Sequence, residues 1–201
     1  GGDVRAVRQM VLDSRPEEAD AYFAAEYHMN GLIAAYSKPT IALTHGVVMG
    51  GGIGIAGHCR YRFTSPDSKW AMPETAIGFV ADVGSNFILA KAPLNRALAF
   101  LMSGIAVGPA DAIALGLCDC VVDPQRLVDL RTGIVRAASA ARVDDALVML
   151  MQDEMAPAGE PLLCQAADRH AAIDWTDAAA IVAALATEPL LARIATRSPT
   201  S

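Results

Sequence analysis

Two acids and a run of glycines are the residues of this chain best suited to chemistry: Gly50-Gly51-Gly52, Glu74 and Asp82. Bare glycine backbone presents its N–H groups without a Cβ in the way. Where such a run leads from a strand into a helix, those donors suit an anionic oxygen, either a phosphate or an oxyanion developing in a transition state. Glu74 stands in Met72-Pro73-Glu74-Thr75, and Asp82 follows eight positions later in Ala81-Asp82-Val83-Gly84. Taken singly, each piece has a plain reading. Glycine triplets serve turns and close packing, and a Glu after Pro suits the first turn of a solvated helix. Their order and spacing within Lys38 to Gly84 give the combination its interest.

The elements that must position these groups can be read around them. Ile41-Ala42-Leu43-Thr44 is a short, apolar, β-branched run that reads as a buried strand leading into the glycines. Ile53 to His58 has helical character. Upstream, Asp3 to Asp13 reads as a helix with Val4, Val7 and Leu12 inward, and Pro16 opens a second helix that continues to Ala35. Downstream, Ser85 to Ala99 reads as helical with a restart at Pro93, and Met102 to Val107 as a turn and extended segment. Another helix runs from Gly108 towards Gly116. Leu117 to Val122 reads as a last short strand on which Cys118 and Cys120 alternate as buried small hydrophobes. From Leu127 the pattern is helical, broken by a Pro157–Pro161 loop, with a later helix capped by Thr176 or Asp177. Trp175 reads as a packing anchor.

On these residues the chain resembles the crotonase (enoyl-CoA hydratase/isomerase) superfamily, and within it the 3-hydroxyisobutyryl-CoA hydrolases. The likeness is carried by Lys38-Pro39, His45-Gly46, Met49 to Gly52 and Gly54, then by Met72 to Gly78 and Asp82-Val83-Gly84. The resemblance implies an α/β fold with a repeated ββα spiral core over residues 1–125, followed by a helical C-terminal region over 126–201. It implies catalytic roles for Glu74 and Asp82, and an oxyanion hole made by the backbone N–H groups of Gly51 and Gly2. Gly50 and Gly51 would border the substrate. Glu26, twelve positions before Lys38, would line the acyl pocket; a solvated helix carboxylate is its alternative reading. The lesser alternative for Gly1-Gly2 is an expression remnant. The resemblance further implies strands and a coenzyme-A-binding segment before Gly1, and a tail continuing past Ser198-Pro199-Thr200-Ser201.

The position of the first hydratase glutamate, two after the triplet, is Gly54 here, while Glu74 keeps the second and Asp82 is added. That exchange of acids is the pattern of the hydrolase branch. A thiolate leaving group has a pKa near 8.5 and needs little acid assistance, so a carboxylate could act as nucleophile or direct a water. The resemblance implies no metal and no cofactor beyond the coenzyme A of an acyl-CoA substrate. Val80-Ala81 and Ser85-Asn86 depart from the hydrolase pattern in residues that shape the acyl pocket. Three readings remain: a short 3-hydroxyacyl-CoA hydrolase, a hydratase or isomerase using Glu74, and a non-catalytic crotonase-like subunit. Neither His45 nor His58 is needed for the hydrolase chemistry, and no GxSxG elbow supports a Ser/His/Asp arrangement.

Bulk properties narrow the setting. The chain has 201 residues, 53% of them hydrophobic, with a mean hydropathy of +0.33 inflated by alanine. A net charge of −6 and a pI near 5.1 argue against nucleic-acid or anionic-membrane partners. No apolar run reaches the roughly 18 residues of a membrane-spanning helix, and no signal-peptide pattern opens this stretch. Cys59, Cys118, Cys120 and Cys164 form no zinc-type pairs and read as reduced thiols, hence a cytoplasmic setting. No GxGxxG fingerprint suggests a dinucleotide site. Homo-oligomer formation is a further expectation of the resemblance.

Overall fold

The structure is a computed structural model that describes residues 3–192. Gly2 and the Ser198–Ser201 tail, on which expectations were placed, lie outside the described residues. α1 (Val4–Leu12) starts on Asp3, whose carboxylate accepts the N–H groups of Arg5 and Ala6. α2 (Pro16–Ala34) has Pro16 in its first turn and Glu17 and Glu18 close behind, which suits the positive end of the helix. The inward face expected for α1 is not found. Val4 and Leu12 are 59% and 57% exposed, while Ala6, Val7 and Met10 are half-buried. These three share a face at the helical spacing, and residues at the two ends turn away from it.

The core is built by repetition. β1 (Ile41–Thr44), β2 (Val47–Met49) and α3 (Gly51–Ala56) form one ββα turn; β3 (Tyr61–Thr64), β4 (Lys69–Ala71) and the 3₁₀ turn Pro73–Ile77 form the next. Each turn sends its first strand to one sheet and its second to another. β1 pairs in parallel with β3, and β2 in parallel with β4. Val107 extends the second sheet by bridging to Trp70. β5 (Cys120–Val122) continues the first sheet beside β3, giving the order β1-β3-β5 so far.

Between the second turn and β5 lie α4 (Ser85–Leu89), α5 (Leu94–Ser103) and α6 (Pro109–Ala114). Trp70, Phe100, Ile53, Met72, Leu115 and Leu117 are essentially inaccessible to solvent and form the middle of the core. The break between α4 and α5 falls before Pro93, as expected of a residue that cannot donate within a helix.

α7 (Leu127–Ala138), α8 (Val143–Glu154), α9 (Leu162–Arg169) and α10 (Ala178–Leu185) follow. They are interrupted by the two-residue strand β6 (Met155–Ala156), antiparallel to β5 and not foreseen in a region read as helical. Leu163, Cys164, Ala166 and Ala167 of α9 enter the main core, as does Trp175, whose indole N–H is donated to the His170 carbonyl. Cys118 precedes β5 instead of alternating with Cys120 along it, because Asp119 turns there to clamp Arg62; both thiols are nonetheless buried. Asp177 caps α10 through the N–H groups of Ala179 and Ala180. No described helix is long and apolar enough to cross a membrane.

Candidate active site

Parallel pairing brings the chemistry together. Because β2 and β4 run the same way, with Met49 opposite Ala71, the segments that leave them emerge side by side. From β2 comes the glycine triplet; from β4 comes Met72-Pro73-Glu74. The Gly50 N–H donated to the Ala71 carbonyl (3.2 Å) ties the two exits. Gly50 has φ +48°, a conformation that favours glycine. A Cβ there would also lie 3.0 Å from Glu74 Oε1, so the carboxylate rests against bare backbone. Gly51 and Gly52 open α3, and their N–H groups have no carbonyl one turn back within the helix to serve.

Glu74 is 9% exposed, and its buried Oε2 has no hydrogen-bond partner among the described residues. Burial, with Asp82's charge adding to it, pushes its pKa from an ordinary 4.5 up to about 7. A buried acid poised near neutrality can hold or give up a proton during a reaction, which is what a general base or a carboxylate nucleophile requires.

Asp82 is reached from α2, more than fifty residues earlier in the chain. The Tyr27 hydroxyl donates to Asp82 Oδ2 at 2.7 Å. Glu26, next to Tyr27, is raised by partial burial and by Asp82's charge, so three acids meet on this side of the molecule. The turn that carries Asp82 is strained. Val83, β-branched and 2% exposed, has φ +48°, which costs on the order of 1–2 kcal/mol for such a residue. Its carbonyl is held by His58 Nε2 at 2.9 Å, with Asn30 Nδ2 further off at 3.5 Å. A carbonyl only accepts, so Nε2 carries the imidazole proton, and the buried Nδ1 has no partner. His58, dispensable for the chemistry in the sequence reading, thus belongs to the scaffold that holds the Asp82 turn.

Gly54 is closed to any side chain. A Cβ there would stand 2.6 Å from Val83 Cβ and 3.1 Å from Asn30 Nδ2. Of the site residues expected from sequence, Gly50 lies against Glu74, Gly51 follows it at the start of α3, Asp82's charge acts on Glu74, and Glu26 lies on the Asp82 side. Gly2 is outside the described residues. Tyr27, Asn30 and His58 were missed. Their only sequence signal was a polar group recurring beside apolar helix positions, which says nothing of a contact to residues 82–84. A second hollow of about 260 Å³ lies elsewhere, between the ends of β1 and β3 and α7. It holds His45 and Arg131 but no acid.

Comparison with known proteins gives the family and the fold. The profile of the family described as Enoyl-CoA hydratase/isomerase matches residues 1–201, and the chain belongs to that family. Among its relatives, the chain is 34% identical over 149 residues to the 3-hydroxyisobutyryl-CoA hydrolase, mitochondrial, of Xenopus tropicalis, covering 73% of this chain and 38% of that protein. It is 40% identical over 93 residues to small ribosomal subunit protein mS47 of Schizosaccharomyces pombe, covering 46% of this chain and 22% of that one. An enoyl-CoA hydratase structure from Rhodobacter sphaeroides superposes with a TM-score of 0.81 at 31% identity, over 98% of this chain and 55% of that one. The fold is therefore crotonase-like, with a helical C-terminal region. The chain spans 37% and 38% of the length of the hydrolases it matches from Arabidopsis thaliana and Xenopus tropicalis.

Proposed function

We propose that this protein is an acyl-CoA thioester hydrolase acting on a short 3-hydroxyacyl-CoA such as 3-hydroxyisobutyryl-CoA. The observation that carries the reading is Glu74: buried, with an unpartnered oxygen, its pKa near 7, beside a glycine turn with free backbone donors. The closed Gly54 position supports it, since the first of the two glutamates with which hydratases of the superfamily manage water addition has no room there. Likeness to the named hydrolases supports the acyl group.

In this reading the ionised Glu74 attacks the thioester carbonyl carbon. The carbonyl oxygen takes up the negative charge against the Gly51 N–H, and by resemblance against that of Gly2. One such donor contributes about 3 kcal/mol to barrier lowering. Collapse breaks the C–S bond and releases coenzyme A as thiolate. Water then opens the mixed anhydride, its proton passing to the thiolate, and Glu74 is regenerated with the free hydroxy acid. The alternative route has Glu74 draw the proton from an attacking water and gives the same products. Asp82 holds the substrate hydroxyl. No metal and no further cofactor takes part. The cytoplasmic setting stays part of the proposal, beside the mitochondrial one printed in the name of the Xenopus relative; the four cysteines are free thiols and suit either reducing compartment.

The test is release of coenzyme A, followed with a thiol reagent, from 3-hydroxyisobutyryl-CoA and from isobutyryl-CoA. The expected result is turnover with preference for the hydroxylated thioester, and Asp82→Gly lowering kcat/KM on that substrate about tenfold more than on the other. Equal losses on both would remove Asp82 from substrate recognition. The likeness to small ribosomal subunit protein mS47 favours one rival, a non-catalytic subunit that keeps the fold. Binding of coenzyme A without turnover would select it. Hydration of an enoyl-CoA would select the hydratase alternative.

A further inference from the structure

Tyr27 sits where α2 meets the Asp82 turn, and its ring is fixed before its hydroxyl is used. It stacks on Phe23 (centroids 5.9 Å, planes 27° apart), and Phe23 stacks in turn on Phe79 (5.8 Å, 17°), which follows the 3₁₀ turn of Glu74. This aromatic ladder pins α2 to the segment that carries both acids. From it the phenol reaches Asp82 Oδ2 at 2.7 Å. Burial and Asp82's charge hold that phenol protonated far above neutral pH, so it always donates.

The other oxygen, Asp82 Oδ1, takes no hydrogen bond among the described residues. Asp82 and Tyr27 line an open-mouthed hollow of about 250 Å³ with Val83, Gly84, Ser85 and Asn86. A carboxylate can only accept, and with one oxygen occupied by a fixed donor the second asks for another donor from whatever enters the hollow. A hydroxyl is the neutral group that answers. An unsubstituted acyl chain would leave that oxygen dehydrated and unpaired, the arrangement by which sites reject analogues that lack a hydrogen-bonding group.

We propose that Tyr27 is a positioning residue that sets the preference for a hydroxylated acyl group, by holding Asp82 through Oδ2 so that Oδ1 faces the hydroxyl. The inference rests on the reading of Asp82 given above. Without the phenol, the carboxylate is free to turn, and either of its oxygens can be hydrated instead of presented. Tyr27 touches no reacting atom and acts through Asp82 alone.

The test compares Tyr27→Phe with wild type on the matched pair 3-hydroxyisobutyryl-CoA and isobutyryl-CoA. Tyr27 is 42% exposed and Phe keeps the stack, so the fold is retained. The expected result is a fall of about tenfold in kcat/KM for the hydroxylated thioester, with less than a twofold change for the other. Binding of the same pair is measured by calorimetry in a Glu74→Gln background, where the thioesters stay intact. There Tyr27→Phe should lower the affinity preference by a similar factor. If wild type releases no coenzyme A from either thioester, the hydrolase reading fails, and the binding arm still decides the role of Tyr27. In an Asp82→Ala background, Tyr27→Phe should change nothing further, whereas a merely structural residue would add its own loss. A preference within twofold of wild type in the binding arm, or full additivity with Asp82→Ala, would overturn the proposal.

Discussion

Two regions of this molecule enclose carboxylates and treat them in opposite ways. Where α5 meets α9, Asp168 takes hydrogen bonds from Arg96 at 2.9 and 2.6 Å and from Asn95 at 3.0 Å, and its pKa is held below the usual range, chiefly by Arg96. Nearby, the buried Asp111 accepts the Cys164 N–H at 2.9 Å. At the exits of β2 and β4, Glu74 has among the described residues no cation beside it and one oxygen without a partner, and its pKa is raised. The first arrangement is how a fold secures an acid: both oxygens of Asp168 accept hydrogen bonds, and Arg96 matches its charge. The second leaves the acid's capacity unspent. Burial of a carboxylate alone distinguishes nothing; the company it keeps separates joint from reactive group.

The comparison can be broken most decisively at Glu74. Glu74→Gln should lower kcat for coenzyme A release at least about a hundredfold, roughly 2.7 kcal/mol or more of barrier, while acyl-CoA affinity measured by calorimetry stays within a few-fold. More than a tenth of wild-type turnover would mean that Glu74 is not the reacting group.

The same substitution sharpens the contrast through stability. An acid whose folded pKa is raised favours the fold when protonated. Its contribution is full below about 4.5 and is lost as pH climbs through about 7. Glu74→Gln, neutral at all pH, should therefore be more stable than wild type at pH 8 by about 2 kcal/mol, discounting for the solvent that reaches this turn. The gain should vanish near pH 4. Urea titrations at both pH values measure it, and an equal difference at pH 8 and pH 4 would deny the burial effect. By the same protonation argument, kcat/KM of wild type should rise with pH through about 7.

Gly54→Ala comes next. The added methyl meets Val83 at 2.6 Å, and overpacking of this kind costs about 1–3 kcal/mol, read as a lower urea midpoint. Gly54→Glu should produce no hydration of an enoyl-CoA. Val83's side chain, 2.6 Å from where the added Cβ would stand, is the nearest obstacle. The smallest effect belongs to the paired acid. Asp168→Asn should cost only about 0.5 kcal/mol at pH 7, because the Arg96 pair is partly exposed. A depressed pKa contributes above the unfolded value and is lost as pH falls through the folded one. The deficit should thus disappear below about pH 4, opposite in sense to Glu74.

What could be read in the sequence was what depends on neighbours along the chain. The glycine triplet, Glu74 and the empty Gly54 are local, whereas the ββα spiral was implied by the family resemblance alone, since of its strands only β1 and β5 showed in the residues. Pro16, Pro93 and Asp177 mark helix starts by chemistry that needs no partner. Tyr27 and His58 could not be read in the same way. Tyr27 meets Asp82 fifty-five residues on and His58 meets Val83 twenty-five on, and no periodicity encodes which helix turn faces which loop. Val83 was illegible for a different reason: β-branched residues are unfavourable at positive φ, so propensity points away from the conformation that it adopts. The inward face of α1 failed because Val4 and Leu12 lie at the two ends of a nine-residue helix, where apolar spacing carries little weight.

The pairing of β2 with β4 also bears on how the protein comes to be active. Val47–Met49 and Lys69–Ala71 are twenty-two residues apart in sequence and must find each other across the intervening helix and strand. Local contacts assemble α3, or the turn that holds Glu74, but neither brings backbone donors to the acid. Closing that loop is an entropically costly, non-local event. A nascent chain therefore carries no working half-site. Catalytic competence should arrive in the same kinetic phase as the second sheet and leave with it on unfolding.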